Sequence, residues 1–211
     1  MIDSAFAVLP HDLLWGMPLS ALPDDAPQWA VDTVLAGQPV GCVARRCRPV
    51  RSPWGYAAGG REQRYGREHV ADGCLSPGDS RATDRLPERA YSGLAGVRAL
   101  RQVRPVMDTL GMVWGAGGSA GFELASGIAA LHQDSDLDLI LRTPQPFSRR
   151  CATELVEALA ASVCRVDVQL QLDQGAVALR EWARPAGRVL FKTASGARLV
   201  SDPWHLIEVC A

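Results

Sequence analysis

The sequence predicts an α/β chain: a small N-terminal β-containing domain, residues 1–85, followed by a larger domain, residues 86–211, in which a mixed sheet is covered by helices. Two stretches carry the sheet. In Asp136 to Leu139, and again in CRVDVQLQL from Cys164 to Leu172, apolar and polar residues alternate with the period of a half-buried strand. Between them, Leu155, Leu159 and Val163 recur at helical spacing. A polar tract rich in turn formers, residues 71–95, separates this half from the first and reads as the connection.

In the N-terminal half, prolines at 18, 23, 27 and 39 break the first forty residues into short pieces. Asp12 to Trp15 predicts the start of a short helix, with Asp12 as N-cap and His11 at the surface; Trp29 to Leu35 predicts another. PVGCVARR and WGYAAGG read as a hairpin or small sheet, turning at Gly55, Gly59 and Gly60. The connection carries a short helix near Asp79 to Asp84.

In the second half, Val97, Leu100, Val103, Met107 and Leu110 predict a helix over Gly96 to Leu110, which Pro105 should kink or divide. Met112 to Trp114 read as a short strand, Gly115 to Ser119 as a glycine turn, and Gly121 to Ser126 as a short helix ended by Gly127. Asp136 to Leu141 form the next strand, closed by Pro144 and Pro146. Ser148 is placed to cap a helix from Arg149 to Val163. Beyond the second alternating strand, Ala176 to Ala183 read as helical, and Arg188 to Lys192 with Arg198 to Ser201 as a hairpin around Ser195-Gly196.

Composition excludes more than it assigns. The net charge of -1 gives no reason to expect nucleic acid or a membrane surface as partner. No apolar run is long enough to span a bilayer, and the N-terminus lacks the basic and apolar regions of a signal peptide. The 6 cysteines form no CxxC pair and no Cys/His cluster of zinc spacing, so free thiols in a reducing cytoplasm are the expectation. Positive charge is uneven: Arg45, Arg46, Arg48, Arg51, Arg61, Arg64 and Arg67 stand against Glu62 and Glu68. Such a stretch is either a solvated basic face or a docking surface for phosphates or an acidic partner.

The chemistry concentrates between Val113 and Arg142. Asp136 and Asp138, one residue apart on a strand, point to the same face. Two carboxylates side by side repel, and a divalent cation is the usual reason to keep them. The glycine turn upstream can offer backbone N–H groups to phosphates. Gly115, Gly117 and Ala120 also fit the dinucleotide pattern G-x-G-x-x-A. That reading wants a lone acid at a strand end and further strand–helix repeats, and neither is present. The order of elements fits a nucleotidyltransferase-like palm better: Gly118-Ser119 after a strand, a helix, Asp136 and Asp138 on the next strand, and Asp167 as third carboxylate on a later one. In that arrangement the three aspartates hold two Mg²⁺, while Gly118 and Ser119 contact a triphosphate. The gap from Ser119 to Asp136 is longer than a palm requires, so the linking loop is expanded. Asp134 lies before the strand and is expected to cap or meet solvent, and Trp114 and Trp204 are expected in the core before an adenine pocket.

The wider pattern is more specific. HDLLWG, WGAGGSAGFELASG, SDLDLILR, RVDVQL, EWAR, VLFKT and LVSDPW together resemble the phosphoribosyl-dephospho-CoA transferase family, the holo-acyl-carrier-protein synthases of malonate decarboxylase. The resemblance spans nearly the whole chain, is closest from Trp114 onward and is loose from about Pro49 to Arg104. It implies transfer of the prosthetic group from 2'-(5-triphosphoribosyl)-3'-dephospho-CoA to a serine of the apo acyl-carrier subunit, with release of diphosphate. It also implies Asp136 and Asp138 as the essential pair, Asp167 as third carboxylate, and Gly118 and Ser119 as triphosphate contacts. The arginine-rich stretch then becomes a docking face for an acidic carrier protein. Two other functions compete: a small-molecule nucleotidyltransferase using ATP, and a non-catalytic palm that only binds. Intact Gly118, Ser119, Asp136, Asp138 and Asp167 argue against the second.

Overall fold

In the computed structural model, residues 11–42, 52–57, 64–69, 76–78, 93–185, 187–193 and 195–206 are described, the strands from 40 to 78 by their backbone. They form two sheets. The first has the order β4-β3-β2-β1-β5, from β1 (Leu13–Trp15), β2 (Val40–Cys42), β3 (Ser52–Ala57), β4 (Arg64–His69) and β5 (Ser76–Gly78). All of its pairings are antiparallel. Helix α1 (Gln28–Leu35) links β1 to β2.

The second sheet has the order β11-β10-β9-β8-β7-β6, from β6 (Trp114–Ala116), β7 (Leu137–Arg142), β8 (Val166–Gln171), β9 (Gly175–Ala178), β10 (Val189–Thr193) and β11 (Gly196–Val200). Only β7 and β8 run parallel. A parallel pair cannot be closed by a tight turn, and α4 (Arg149–Leu159) supplies the crossover. Ser148 caps α4 as expected, accepting a hydrogen bond from the Cys151 N–H at 3.1 Å.

One face of the second sheet is the core. Leu137, Leu139, Leu141, Val166, Val168 and Leu170 are buried there with Val97, Leu100, Val103 and Met107 of α2 (Ala95–Thr109) and Ala152, Leu155 and Leu159 of α4. Because side chains alternate along a strand, Asp138, Ile140 and Arg142 of β7 and Asp167, Gln169 and Gln171 of β8 all lie on the opposite face. The sheet thus has an apolar face that builds the fold and a polar face that carries the candidate chemistry.

Several expectations change. Asp12 to Trp15 is not helical: His11 turns with φ 72, Asp12 pairs with Arg142 instead of starting a helix, and β1 follows, with Leu14 fully buried between β2 and β5. Strand pairing decides over the local pattern here. Gly55 lies inside β3, opposite Gly41 and Gly66, rather than in a turn. Ser76–Gly78 of the connection pairs with β1; the helix expected near Asp79 to Asp84 lies outside the described residues, as do Gly59 and Gly60. Pro105 does not divide α2. It sits on the exposed side with Arg101 one turn earlier, so the carbonyl that loses its partner meets water. The strand before the glycine turn is Trp114–Ala116, two residues later than predicted. Ala176 to Ala183 splits into β9 and α5 (Leu179–Trp182), because Gly175 lets β9 press against β10, where a Cβ would collide with the Lys192 carbonyl and the Phe191 ring. Among the described residues, no helix is long and apolar enough to cross a membrane.

Candidate active site

The glycine turn is tighter than the sequence implied, because it is the start of α3 (Gly118–Ser126) itself. Gly117 is the N-cap, and its N–H donates to the Asp138 carbonyl at 2.8 Å, which fastens the start of α3 to β7. Gly118 has φ 53, a left-handed conformation that suits glycine. A Cβ there would run into the Asp138 carboxylate, 3.0 Å from its Cγ and overlapping Oδ2. Gly117 has no side chain with which to cap α3, and the first N–H groups, those of Gly118 and Ser119 among them, have no intrahelical partner where α3 starts beside Asp138. This is an anion-binding end placed against a carboxylate. Gly127, with φ 74, ends α3 as predicted.

Asp138 and Asp167 are opposite each other in the register of β7 and β8. Neighbouring strands lie about 4.8 Å apart, so these carboxylates leave the sheet side by side. Asp136 falls one residue before β7, where the Leu137 N–H donates to the Arg165 carbonyl at 2.9 Å. Asp138 is exposed, and Asp136 and Asp167 are half-buried. The three carboxylates form one electrostatic neighbourhood: a hydrogen bond from Arg165 to Asp167, then the charges of Asp167, Asp136 and Asp138, hold the Arg165 guanidinium above its usual range.

Two arginines engage the third carboxylate. Arg165 Nε lies 3.0 Å from Asp167 Oδ2, and Arg180 Nε lies 3.6 Å from Asp167 Oδ1. Among the described residues no group of three or more His, Cys, Asp or Glu stands at metal-binding spacing. The donor chemistry nevertheless suits a hard divalent cation, since Asp136, Asp138 and Asp167 offer only carboxylate oxygens, and the missing Cβ at Gly118 lets the Asp138 carboxylate pack against the start of α3.

Behind α3, Glu123 is 4% exposed. Its Oε2 accepts hydrogen bonds from the N–H groups of Ala130 at 2.6 Å and Leu131 at 2.7 Å, while Oε1 is buried without a partner. Glu123 therefore ties the expanded loop to α3, and that loop delivers Asp136.

Trp114 and Trp204 are held in or against the core, and Trp114 also lines a small cleft with Gly115 and Ala116. Trp114 is 8% exposed and donates to Asp108 Oδ1; Trp204 packs on the core, donates to the Thr143 carbonyl and stands 5.0 Å from Trp182. Asp134 is exposed in the loop. Arg45, Arg46, Arg48, Arg51 and Arg61 lie outside the described residues. Sequence reasoning missed Arg165, Arg180, Glu123 and His11. The spacing of Arg165 two residues before Asp167 was a usable signal, because it puts both on one strand face; nothing local pointed to Arg180.

Comparison with known proteins gives a consistent result. The family described as "Phosphoribosyl-dephospho-CoA transferase MdcG C-terminal domain" matches residues 86–203. A phosphoribosyl-dephospho-CoA transferase from Pseudomonas syringae pv. tomato is 73% identical, with 100% of both chains covered. One from Pseudomonas putida is 49% identical over 96% of this chain and 98% of its own. One from Azotobacter vinelandii is 45% identical over 96% of each. No solved structure matches the chain.

Proposed function

Because the chain belongs to the phosphoribosyl-dephospho-CoA transferase family, and is therefore a transferase, we propose that it moves a phosphoribosyl-dephospho-CoA group from its triphosphate donor onto a serine hydroxyl of the apo acyl-carrier subunit of malonate decarboxylase. One observation supports this most: Asp138 and Asp167 side by side in register, with the start of α3 packed on Asp138 through Gly118.

The residues divide the work. The N–H groups of Gly118 and Ser119, with the Ser119 hydroxyl, hold the triphosphate end of the donor. Asp136, Asp138 and Asp167 would hold Mg²⁺, which when bound supplies charge neutralisation for the departing diphosphate and acidifies the attacking hydroxyl. Arg165 and Arg180 orient Asp167 and add positive charge at the edge of the site. The serine attacks the α-phosphorus; an O–P bond forms, the bond to diphosphate breaks, and the hydroxyl proton leaves to solvent. The polar sheet face orients donor and acceptor so that attack is in line. Residues 1–85 serve as a carrier-docking unit and residues 86–211 as the catalytic unit, in a reducing cytoplasm.

Intact-mass spectrometry of the apo carrier subunit tests this. With this protein, Mg²⁺ and the triphosphoribosyl donor, the carrier should gain the mass of the donor minus diphosphate. Asp136→Asn, Asp138→Asn or EDTA should each lower the rate by roughly 10²- to 10³-fold or more, as expected for loss of a main electrostatic element. Modification from ATP in place of that donor would mean a different nucleotidyltransferase, and no modification from either would mean a binding module.

A further inference from the structure

The polar face of the second sheet continues past the carboxylates. In the register of β7 and β8, Asp138 and Asp167 are followed by Ile140 and Gln169, then by Arg142 and Gln171. Gln171 is buried, and its Nε2 donates to the carbonyls of Leu172 and Gly175, both at 3.0 Å. Those two bonds fix which end of the amide is oxygen, so Oε1 of Gln171 is what Gln169 meets. Gln169 donates to it through Nε2 at 3.3 Å. The same Nε2 lies 2.6 Å from Nε2 of His11. An amide nitrogen can only donate, so this imidazole nitrogen accepts and carries no proton. A chain of fixed polarity, starting from two main-chain carbonyls, thus holds His11 neutral with its proton on Nδ1. Burial, then the charges of Arg142 and Lys192, act the same way and hold the imidazole at about 4.

His11 reaches this position at a cost. Its φ of 72 makes it the only non-glycine residue with positive φ among the described residues, and an outlier of that kind points to a function. Asp12 beside it pairs with Arg142 at 3.2 Å, with both side chains largely buried. Together they bring the chain just ahead of β1 onto the second sheet, next to a cleft that His11 lines with Trp114, Gly115, Ala116, Ile140 and Arg142. Gly115 and Ala116 lead directly into the start of α3. Two residues along β8 from Asp167 is about 6.6 Å, roughly the span of one sugar beyond the reacting phosphate.

We propose that His11 and Gln169 form the subsite for the ribosyl hydroxyls of the donor. The chemistry selects this class of group. Nδ1–H of His11 is a donor and Oε1 of Gln169 an acceptor, and neither has a hydrogen-bond partner among the described residues. The pair is uncharged, and the nearby Arg142 is already paired with Asp12. One neutral donor and one neutral acceptor suit sugar hydroxyls, whereas a phosphate would call for cations or several N–H groups, which the start of α3 supplies instead. The inference rests on the transferase reading and adds which residues hold the sugar.

Equilibrium binding without the carrier subunit tests it, using 2'-(5-triphosphoribosyl)-3'-dephospho-CoA and 3'-dephospho-CoA, which lacks the triphosphoribosyl unit. His11→Gly removes the imidazole and relieves the positive-φ strain, so the variant should melt no lower than wild type near neutral pH. It should bind the triphosphoribosyl donor about three- to tenfold more weakly, the loss of one or two neutral hydrogen bonds, and 3'-dephospho-CoA within twofold. Gln169→Leu should have the same selective effect, and the double variant should be no worse than the more damaging single one. Equal loss for both ligands, or no loss for the triphosphoribosyl donor, would overturn the assignment. Wild type that binds the donor yet transfers nothing would count against the transferase reading and leave the subsite standing; wild type that binds neither ligand would remove both.

Discussion

Gly118→Ala is the substitution that most directly probes the site. Two costs can be separated. Alanine at φ 53 pays the left-handed backbone penalty, about 1–2 kcal/mol. For a chain of this size that lowers the melting temperature by roughly 2–8 °C. The second cost is local. The new Cβ would stand 3.0 Å from Cγ and 3.2 Å from Cβ of Asp138, where carbon atoms normally rest about 3.5–4.0 Å apart. Either Asp138 or the start of α3 must therefore move by about 0.5–1 Å. A displacement of that size in a reacting constellation costs about 10²-fold in rate. Gly127→Ala is the matched control: its φ is 74, and a Cβ there meets nothing within 4 Å. Both variants should melt lower, Gly118→Ala by at least as much as Gly127→Ala, but only Gly118→Ala should lose about 10²-fold in the rate of carrier modification. Equal activities in the two variants would refute the claim that α3 and Asp138 act as one unit.

Three further outcomes follow from the same geometry. Glu123→Leu leaves the N–H groups of Ala130 and Leu131 without their acceptor and should destabilise by about 2–5 kcal/mol, whereas Glu123→Gln keeps an acceptor and should cost less than half of that; equal melting temperatures for the two would show that Glu123 does not hold the loop. The folded His11 titrates at about 4 against 6.5 when unfolded, so the unfolded chain binds the extra proton between those values and stability must fall as pH falls. From pH 7 to 5 the loss is about 2 kcal/mol at most, and thermal melts should show it in wild type but not in His11→Gly. Reversing charge at Arg45 and Arg46 should raise KM for an acidic carrier at low salt and much less at high salt; an unchanged KM at low salt would rule out that docking face.

How much of this was legible follows from the range of each interaction. The alternation in Asp136 to Leu139 and in Val166 to Leu172 reports burial directly, so both strands and the facing of Asp138 and Asp167 could be read from the chain. Ser148 and Gly127 act within one turn of their helices and were equally readable. His11 was not. By sequence it is a polar residue ahead of a short apolar run, and the bland reading was a surface histidine before a helix. What changes its meaning is contact with Gln169, 158 positions away, and with a polar sheet face that exists only once β7 and β8 are paired. The same holds for Arg180, which reaches Asp167 from α5, in a stretch whose local pattern read as one continuous helix. Local periodicity therefore locates the carboxylates, while the groups that orient them and shape the space beyond them come from pairings between distant strands. Any reading of such a site from sequence should accordingly be firmest for the aspartates and weakest for the residues that choose the donor, and it is the second group that the binding comparison at His11 and Gln169 addresses.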